Sequence, residues 1–231
     1  ELRRLHITNT TRTQRILEIT TYAEVVLAPA VTDSLHPAFS NLFVQTEILE
    51  NKQAILCTRR TRENSEPAVW LLHLVSVHGG IASEVSYETD RRRFVGRTRN
   101  LEHPLALSQT GPLSGTSGAV LDPVVAIRHR IHFAQLQTIT IDMVTGMADT
   151  RVQALALVDK YRDAHLANRV FDLAWTHGWV HLQQLNASEA DAQLYNRLAS
   201  AVIFAQGAWR AEQAVLQRQR RGQSGLWSYA I

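Results

Sequence analysis

Hydrophobic and polar positions alternate through the first two thirds of the chain. In "RILEITTYAEVVLA" (residues 15–28), Leu17, Ile19, Ala23, Val25 and Leu27 fall on one face, and Glu18, Thr20, Tyr22 and Glu24 on the other. Successive side chains of an extended chain point to opposite sides, so this period predicts a half-buried strand. "NLFVQTEILENKQAILCTRR" (41–60) reads as a hairpin turning at Glu50 to Gln53. "AVWLLHLVSV" (68–77) is apolar on both faces, as a central strand covered from two sides must be. "SEVSYETD" (83–90) is a more polar strand. "VVAIRHRIHF" (124–133) sets Ile127, His129, Ile131 and Phe133 opposite Arg128, Arg130 and His132, and "TITIDMVTG" (138–146) closes the series at Gly146.

Beyond Gly146 the period becomes helical. "DTRVQALALVDKYRD" opens with Asp149 as its expected N-cap and carries Val152, Leu155, Ala156 and Val158 near one face. "HLANRVFDLAWTHGWVHLQQL" continues with Val170, Phe171, Ala174 and Trp175. In "NASEADAQLYNRLASAVIFA", Ser188 with Asp191 three residues on forms a shortened capping box. "AWRAEQAVLQRQR" is a last amphipathic stretch. Strands first and helices afterwards predict an α+β arrangement, a mainly antiparallel β-sandwich over 1–147 followed by a helical segment over 148–231.

The 231 residues are 45% hydrophobic and 19% charged, which describes a globular chain. No apolar run reaches the roughly 18 residues of a membrane-spanning helix, so direct membrane contact from this segment is not expected. Net charge is only +3, and Lys52 and Lys160 are the two lysines among 24 basic residues. Acidic residues are interspersed with the arginines, which argues against a nucleic-acid partner. The single cysteine, Cys57, sits in the apolar run "AILCT", as a small buried hydrophobe would. The chain begins at Glu1 and ends in "GQSGLWSYAI" without a terminator, and reads as a piece of a longer protein.

Candidate chemistry is sparse. His129 and His132 lie at i and i+3 of a strand and point apart, while His177 and His181, at i and i+4 of a helix, can share a face. No HExxH motif or third ligand accompanies them, and no metal site is assigned. "GPLSGTSGAVLDP" (111–123) lacks the ending of a phosphate loop and is read as a turn bringing backbone close to a neighbour or ligand. The sequons at Asn9 and Asn186 are read as chance. No nucleophile triad is assignable from spacing, and Glu18, Glu24, Glu47 and Glu84 look like outward strand positions, so no catalytic residue and no cofactor is assigned. One stretch stands out: "SYETDRRRFVGRTRN" (86–100) places five arginines between Arg91 and Arg99.

Seven segments in order carry a resemblance: "ITNTTRTQRILEITTYAEVVLAP", "HPAFSNLFVQTEIL", "YETDRRRFVGRTR", "LSGTSGAVLDPVVAIR", "DKYRD", "FDLAWTH" and "RRGQSGLWSYAI". Together they resemble the phosphorylase-type region of bacterial cyclic β-1,2-glucan synthases. That region is similar to glycoside hydrolase family 94, formerly glycosyltransferase family 36. The resemblance implies a galactose-mutarotase-like supersandwich, entered here after its early strands, then a helical linker leading into an (α/α)₆ barrel beyond Ile231. That barrel would hold the acid of an inverting phosphorolysis, leaving this segment inactive by itself.

The implied partners in the parent are a β-glucan oligosaccharide, inorganic phosphate and the downstream barrel, and the family allows a homodimer. The implied location is cytoplasmic, in a parent anchored in the bacterial inner membrane. A segment of a free-standing β-glucan phosphorylase and a stand-alone carbohydrate-binding module are the alternatives. Within the family pattern, Asp90, Arg91 and Arg97 match as candidate substrate-binding residues, with Asp90 expected to orient the Arg91 fork. A guanidinium can donate two hydrogen bonds to vicinal hydroxyls or to phosphate. The competing reading makes Asp90 and Arg91 a structural pair at a strand end.

Overall fold

The computed structural model describes residues 1–61, 68–203, 211–218, 220, 222–225 and 227. Parts of the stretches 208–220 and 222–231, read above as a helix and as an approach to a further domain, lie outside them. The chain divides into two compact units, Glu1–Asp172 and Leu173–Ile231.

Among the described residues the first unit has ten strands: β1 (Leu2–Thr8), β2 (Arg15–Thr20), β3 (Ala23–Glu24), β4 (Val44–Leu49), β5 (Ala54–Arg59), β6 (Trp70–His78), β7 (Ile81–Asp90), β8 (Gly118–Ala119), β9 (Pro123–Phe133) and β10 (Thr138–Ala148). Six form an antiparallel sheet in the order β1-β10-β6-β5-β4-β8. The others centre on β9, which pairs with β2 and β3 along one edge and with β7 along the other. Facing side chains of both sheets make one core, with Ile55, Val75 and Ile141 from the larger sheet meeting Val25, Tyr87, Ile127 and Ile131 from the smaller.

The outer face of the larger sheet buries Ala54, Leu56, Leu72, Leu74 and Val144 against Ala154 and Val158 of helix α5 (Arg151–Tyr161). This layering explains why β6 reads as apolar on both faces: Val75 points into one core, and Leu72 and Leu74 into the other. The β4–β5 hairpin turns through a short 3₁₀ segment, Glu50–Lys52, at the expected place, with Gln53 left-handed (φ 50°).

Three local readings change. The run 15–28 pairs with β9 through Arg15–Thr20 and Ala23–Glu24, and Leu17, Ile19, Ala23, Val25 and Leu27 all join the core, yet the ladder is interrupted at Thr21. There the buried Thr21 hydroxyl accepts the Ile127 N–H (3.2 Å), taking over a backbone bond. Helix α5 is capped by Thr150, not Asp149: Thr150 is extended and its hydroxyl accepts the Gln153 N–H. The buried face of α5 is Ala154 and Val158, while Val152 is exposed. Polar ties to the β4–β5 hairpin set that rotation: Arg151 pairs with Glu47 through two nitrogens, Lys52 with Asp159, and Arg162 donates to the Asn51 carbonyl.

Four short helices occupy stretches to which the sequence pattern assigned no element: α1 (Ala30–Leu35), α2 (Pro37–Asn41), α3 (Arg91–Val95) and α4 (Leu105–Ser108). Prolines at 29, 37 and 104 mark three of their starts, where a missing N–H costs nothing. Helix α6 (Ala164–Gln184) spans the boundary between the units, and α7 (Glu189–Ile203) and α8 (Gln213–Leu216) follow. Ser188 and Asp191 form the expected reciprocal cap: the Asp191 carboxylate accepts from the Ser188 N–H, and the Ser188 hydroxyl from the Asp191 N–H.

Candidate functional site

The arginine stretch forms where β7 ends and α3 begins. Asp90 is extended and accepts the Arg92 N–H (2.9 Å), which is what stops the strand and starts the turn. Phe94 and Val95 bury one side of that turn beside Ala106 and Ala126, leaving the arginines on the other. Gly96 ends it with φ 89°, and a Cβ there would lie 2.8 Å from the Leu105 side chain, so only glycine fits.

The structure separates the three candidate residues. Arg91 is half-buried; its Nε donates to Glu24 (2.9 Å) and its Nη1 lies 3.8 Å from Asp122. Its backbone N–H also donates to the Asp122 carbonyl (2.9 Å). The brace for Arg91 is therefore Glu24 with Asp122. Asp90, expected to orient Arg91, instead caps α3 and approaches Arg93 at 3.9 Å. Around Arg91, Tyr22 donates to Glu24 (3.1 Å) and packs on Phe94, and Asn41 donates to Asp122 (3.1 Å). Burial, reinforced by the neighbouring Glu24 charge, pushes the Tyr22 hydroxyl up to about 12. Burial also raises Asp122 above its ordinary value, against the opposing pull of Arg91. The hydrogen bond to Glu24 raises Arg91 itself.

Arg97 is different. It is exposed, and among the described residues no hydrogen bond or ion pair engages its guanidinium. Arg92 is exposed as well, and Arg99 donates to the Ser108 hydroxyl (2.5 Å). Asp90 and Arg91 thus open the turn and Arg97 follows its glycine cap, and only Arg97 presents an uncommitted fork.

A buried polar seam beside this turn was not legible as a site in the sequence. Glu88 is 2% exposed; its Oε1 accepts from the N–H groups of Thr89 and Asp90 (2.9 Å each), and Ser114 donates to its Oε2. Arg128 is equally enclosed and donates to Thr20 Oγ1 (3.0 Å) and to the carbonyls of Gly111 (2.7 Å) and Ala106 (2.6 Å). Both charges line a cavity of about 110 Å³ shared with Arg93, Gln109 and Leu113. The Gly/Ser-rich loop is stitched to β7 along this seam: Leu113 N–H donates to Ser86, Gly115 N–H to the Tyr87 carbonyl (2.8 Å), and Thr89 to the Thr116 carbonyl (2.8 Å). A period-two pattern marks Glu88 and Arg128 only as polar strand positions; the signal that could have singled them out is a charge embedded in an otherwise apolar or hydroxyl-rich run.

Elsewhere, the Cys57 thiol is buried and pushed up to about 12 by that burial, as suits a packing residue. Asn9 is buried, with its side-chain amide donating to the Thr13 and Ala134 carbonyls (2.9 Å each). His129 is buried, and neither ring nitrogen has a hydrogen-bond partner among the described residues. No cluster of three or more metal-ligating side chains occurs among the described residues. No helix among them is long and apolar enough to cross a membrane.

Chemically, the turn can offer guanidinium donors to an oxygen-rich ligand. The buried carboxylates near it are committed: Glu88 to its three donors, and Asp142, further off, to the Arg4 guanidinium at 2.6 and 2.8 Å.

Comparison with known proteins agrees with this architecture. The whole chain is 32% identical over 231 residues to a cyclic beta-(1,2)-glucan synthase, NdvB, of Rhizobium meliloti (strain 1021), of which it spans 8% of the length. The model of the glycosyl hydrolase 94 supersandwich domain matches residues 1–164, which takes in both sheets and α5. The chain belongs to the glycosyl hydrolase 94 family, whose supersandwich domain it carries over residues 1–164.

Proposed function

We propose that this chain is the non-catalytic sandwich-plus-linker segment of a cyclic β-1,2-glucan synthase-like enzyme. The observation that carries the reading is similarity to such a synthase along all 231 residues. The carboxylate arrangement supports a non-catalytic role, because Glu88 and Asp142 already hold the donors that a working acid or base would have to release. In this reading the segment helps enclose the glucan site and supports a downstream barrel in which inorganic phosphate cleaves the chain. Arg97, with its free fork, faces the β-glucan oligosaccharide, while Arg91 holds the turn in shape. The segment lies in the cytoplasm, in a parent anchored in the inner membrane, and the parent can act as a homodimer.

The test has two arms. Incubation of this chain with β-1,2-glucooligosaccharides and phosphate yields no glucose 1-phosphate above a buffer control; clear release overturns the non-catalytic assignment. In the complete enzyme, Arg97→Lys lowers kcat/KM for phosphorolysis while the melting temperature holds. Unchanged kinetics would remove Arg97 from the glucan path.

A further inference from the structure

The second unit carries a side-chain pair that the proposed function does not use. His177 and His181 are one helical turn apart on α6, and their Nε2 atoms converge to 3.3 Å. Their ring planes cross at 73° with centroids 4.3 Å apart. Both side chains are exposed. The sequence alone left them without a ligand role for want of a third ligand at the right spacing; the geometry supplies a different reason to consider one.

Two imidazole nitrogens bound to one tetrahedral zinc ion at about 2.0–2.1 Å must lie about 3.3–3.4 Å apart, the chord of the tetrahedral angle. The observed separation matches that chord. Without an ion, the same separation suits a direct N–H···N hydrogen bond, one ring donating and the other accepting, and an arriving ion replaces that shared proton. The i, i+4 spacing on a helix that continues on both sides also fixes the two Cβ atoms, so ion binding needs the rings to turn but no change of backbone.

We propose that His177 and His181 form a bidentate chelate for a first-row transition ion of zinc type, with the remaining coordination positions open to water or to other donors. Imidazole suits zinc, nickel and copper and disfavours magnesium, so the site discriminates by ligand chemistry. The chelate ties two successive turns of α6 together, and ion binding therefore holds this part of the helix in its folded form.

The test is titration of the 231-residue chain with zinc chloride, followed by calorimetry in a buffer that does not bind metal. The expected result is one saturable site, weakened at least tenfold in His177→Ala and in His181→Ala taken separately, with magnesium chloride giving no saturable heat. Circular dichroism of both variants checks that α6 is retained; alanine favours helix more than histidine does, so loss of the helix is not expected. Absence of saturable zinc binding overturns the proposal. So does binding that survives either substitution with less than a tenfold loss, because a two-nitrogen chelate needs both rings.

Discussion

The two compact units treat their apolar residues in opposite ways. In the first, nearly every position that the strand period turns inward finds a partner: Leu72 and Leu74 close against α5, and Ile127 and Ile131 against the facing sheet. In the second, the helical period is just as clear, but α7 buries no residue, Trp175 is 72% exposed and Val202 86%. Trp175 and Trp179 do stack on each other, with centroids 6.3 Å apart, and Trp179 is still 49% exposed. The contrast teaches that periodicity defines a face, while burial needs a second surface to meet it. In the sheets that surface is the neighbouring layer. For α7 none is present among the described residues.

The contrast predicts unequal responses to substitution, the largest inside the first unit. Asp142 is fully buried and held by the Arg4 guanidinium, which also stacks on Phe171 at 5.0 Å. Arg4→Ala strands that carboxylate, and urea denaturation should show a loss of about 3–5 kcal/mol. A loss below about 1 kcal/mol would mean the seam between β1 and β10 is far wetter than described. Leu74→Ala removes a side chain with no solvent exposure and should cost about 2–5 kcal/mol in the same assay.

Acid should attack the same unit. Burial lowers both His73 and His129 from 6.5 to about 4. Each is neutral in the fold and takes up a proton more readily once unfolded. Their contribution is fully present above about pH 6.5 and is lost as pH falls toward 4, on the order of 3 kcal/mol per group. Unfolding free energies measured from pH 7 to pH 4 should fall accordingly. His129→Leu should flatten that slope at little cost, since neither ring nitrogen is bonded. The same change at His73 should cost more, because its ring bridges Thr21 and Thr145 at 2.9 Å each. Equal behaviour of the two variants would show that their different bonding does not matter.

The arginine turn gives intermediate effects of two kinds. In the complete enzyme, loss of a charged hydrogen bond from Arg97→Lys should cost about 1.5–3 kcal/mol in the transition state, read as a roughly ten- to hundredfold lower kcat/KM. Arg91→Lys loses the shaped contact with Glu24 and Asp122. Those groups are part-exposed, so the expected cost is only about 1 kcal/mol, seen as a lower melting temperature with the activity of the folded fraction intact. Stability lost and kinetics unchanged at both positions would leave the whole turn as scaffold. The smallest effect belongs to the second unit: Leu198→Ala on α7 should change the stability of this chain by no more than about 0.5 kcal/mol. A loss comparable to that of Leu74→Ala would break the comparison between the units.

What the sequence determined by itself was whatever depends on neighbours along the chain. Period two located β2 with β3, β4, β5, β9 and β10, the more polar run 83–90 located β7, and period 3.6 located α5 to α7. Ser188 with Asp191 announced its own cap, and the doubly apolar run 68–77 announced a strand covered on both sides. The density of arginines pointed to the turn and the family pattern to Asp90, Arg91 and Arg97 within it, but neither to the work each residue does there. The tertiary structure decided everything that required a partner distant in sequence. Glu24 reaches Arg91 from a strand 67 positions away and Asp122 from the bend before β9, 31 positions away, and so they release Asp90 to cap α3. Arg151 and Asp159 rotate α5 toward Ala154 and Val158 by gripping a hairpin some hundred residues upstream. Glu88 and Arg128 become interior charges only because the 106–116 segment folds over them. Local patterns specify which way a side chain points, whereas what it meets depends on chain paths that no local spacing encodes.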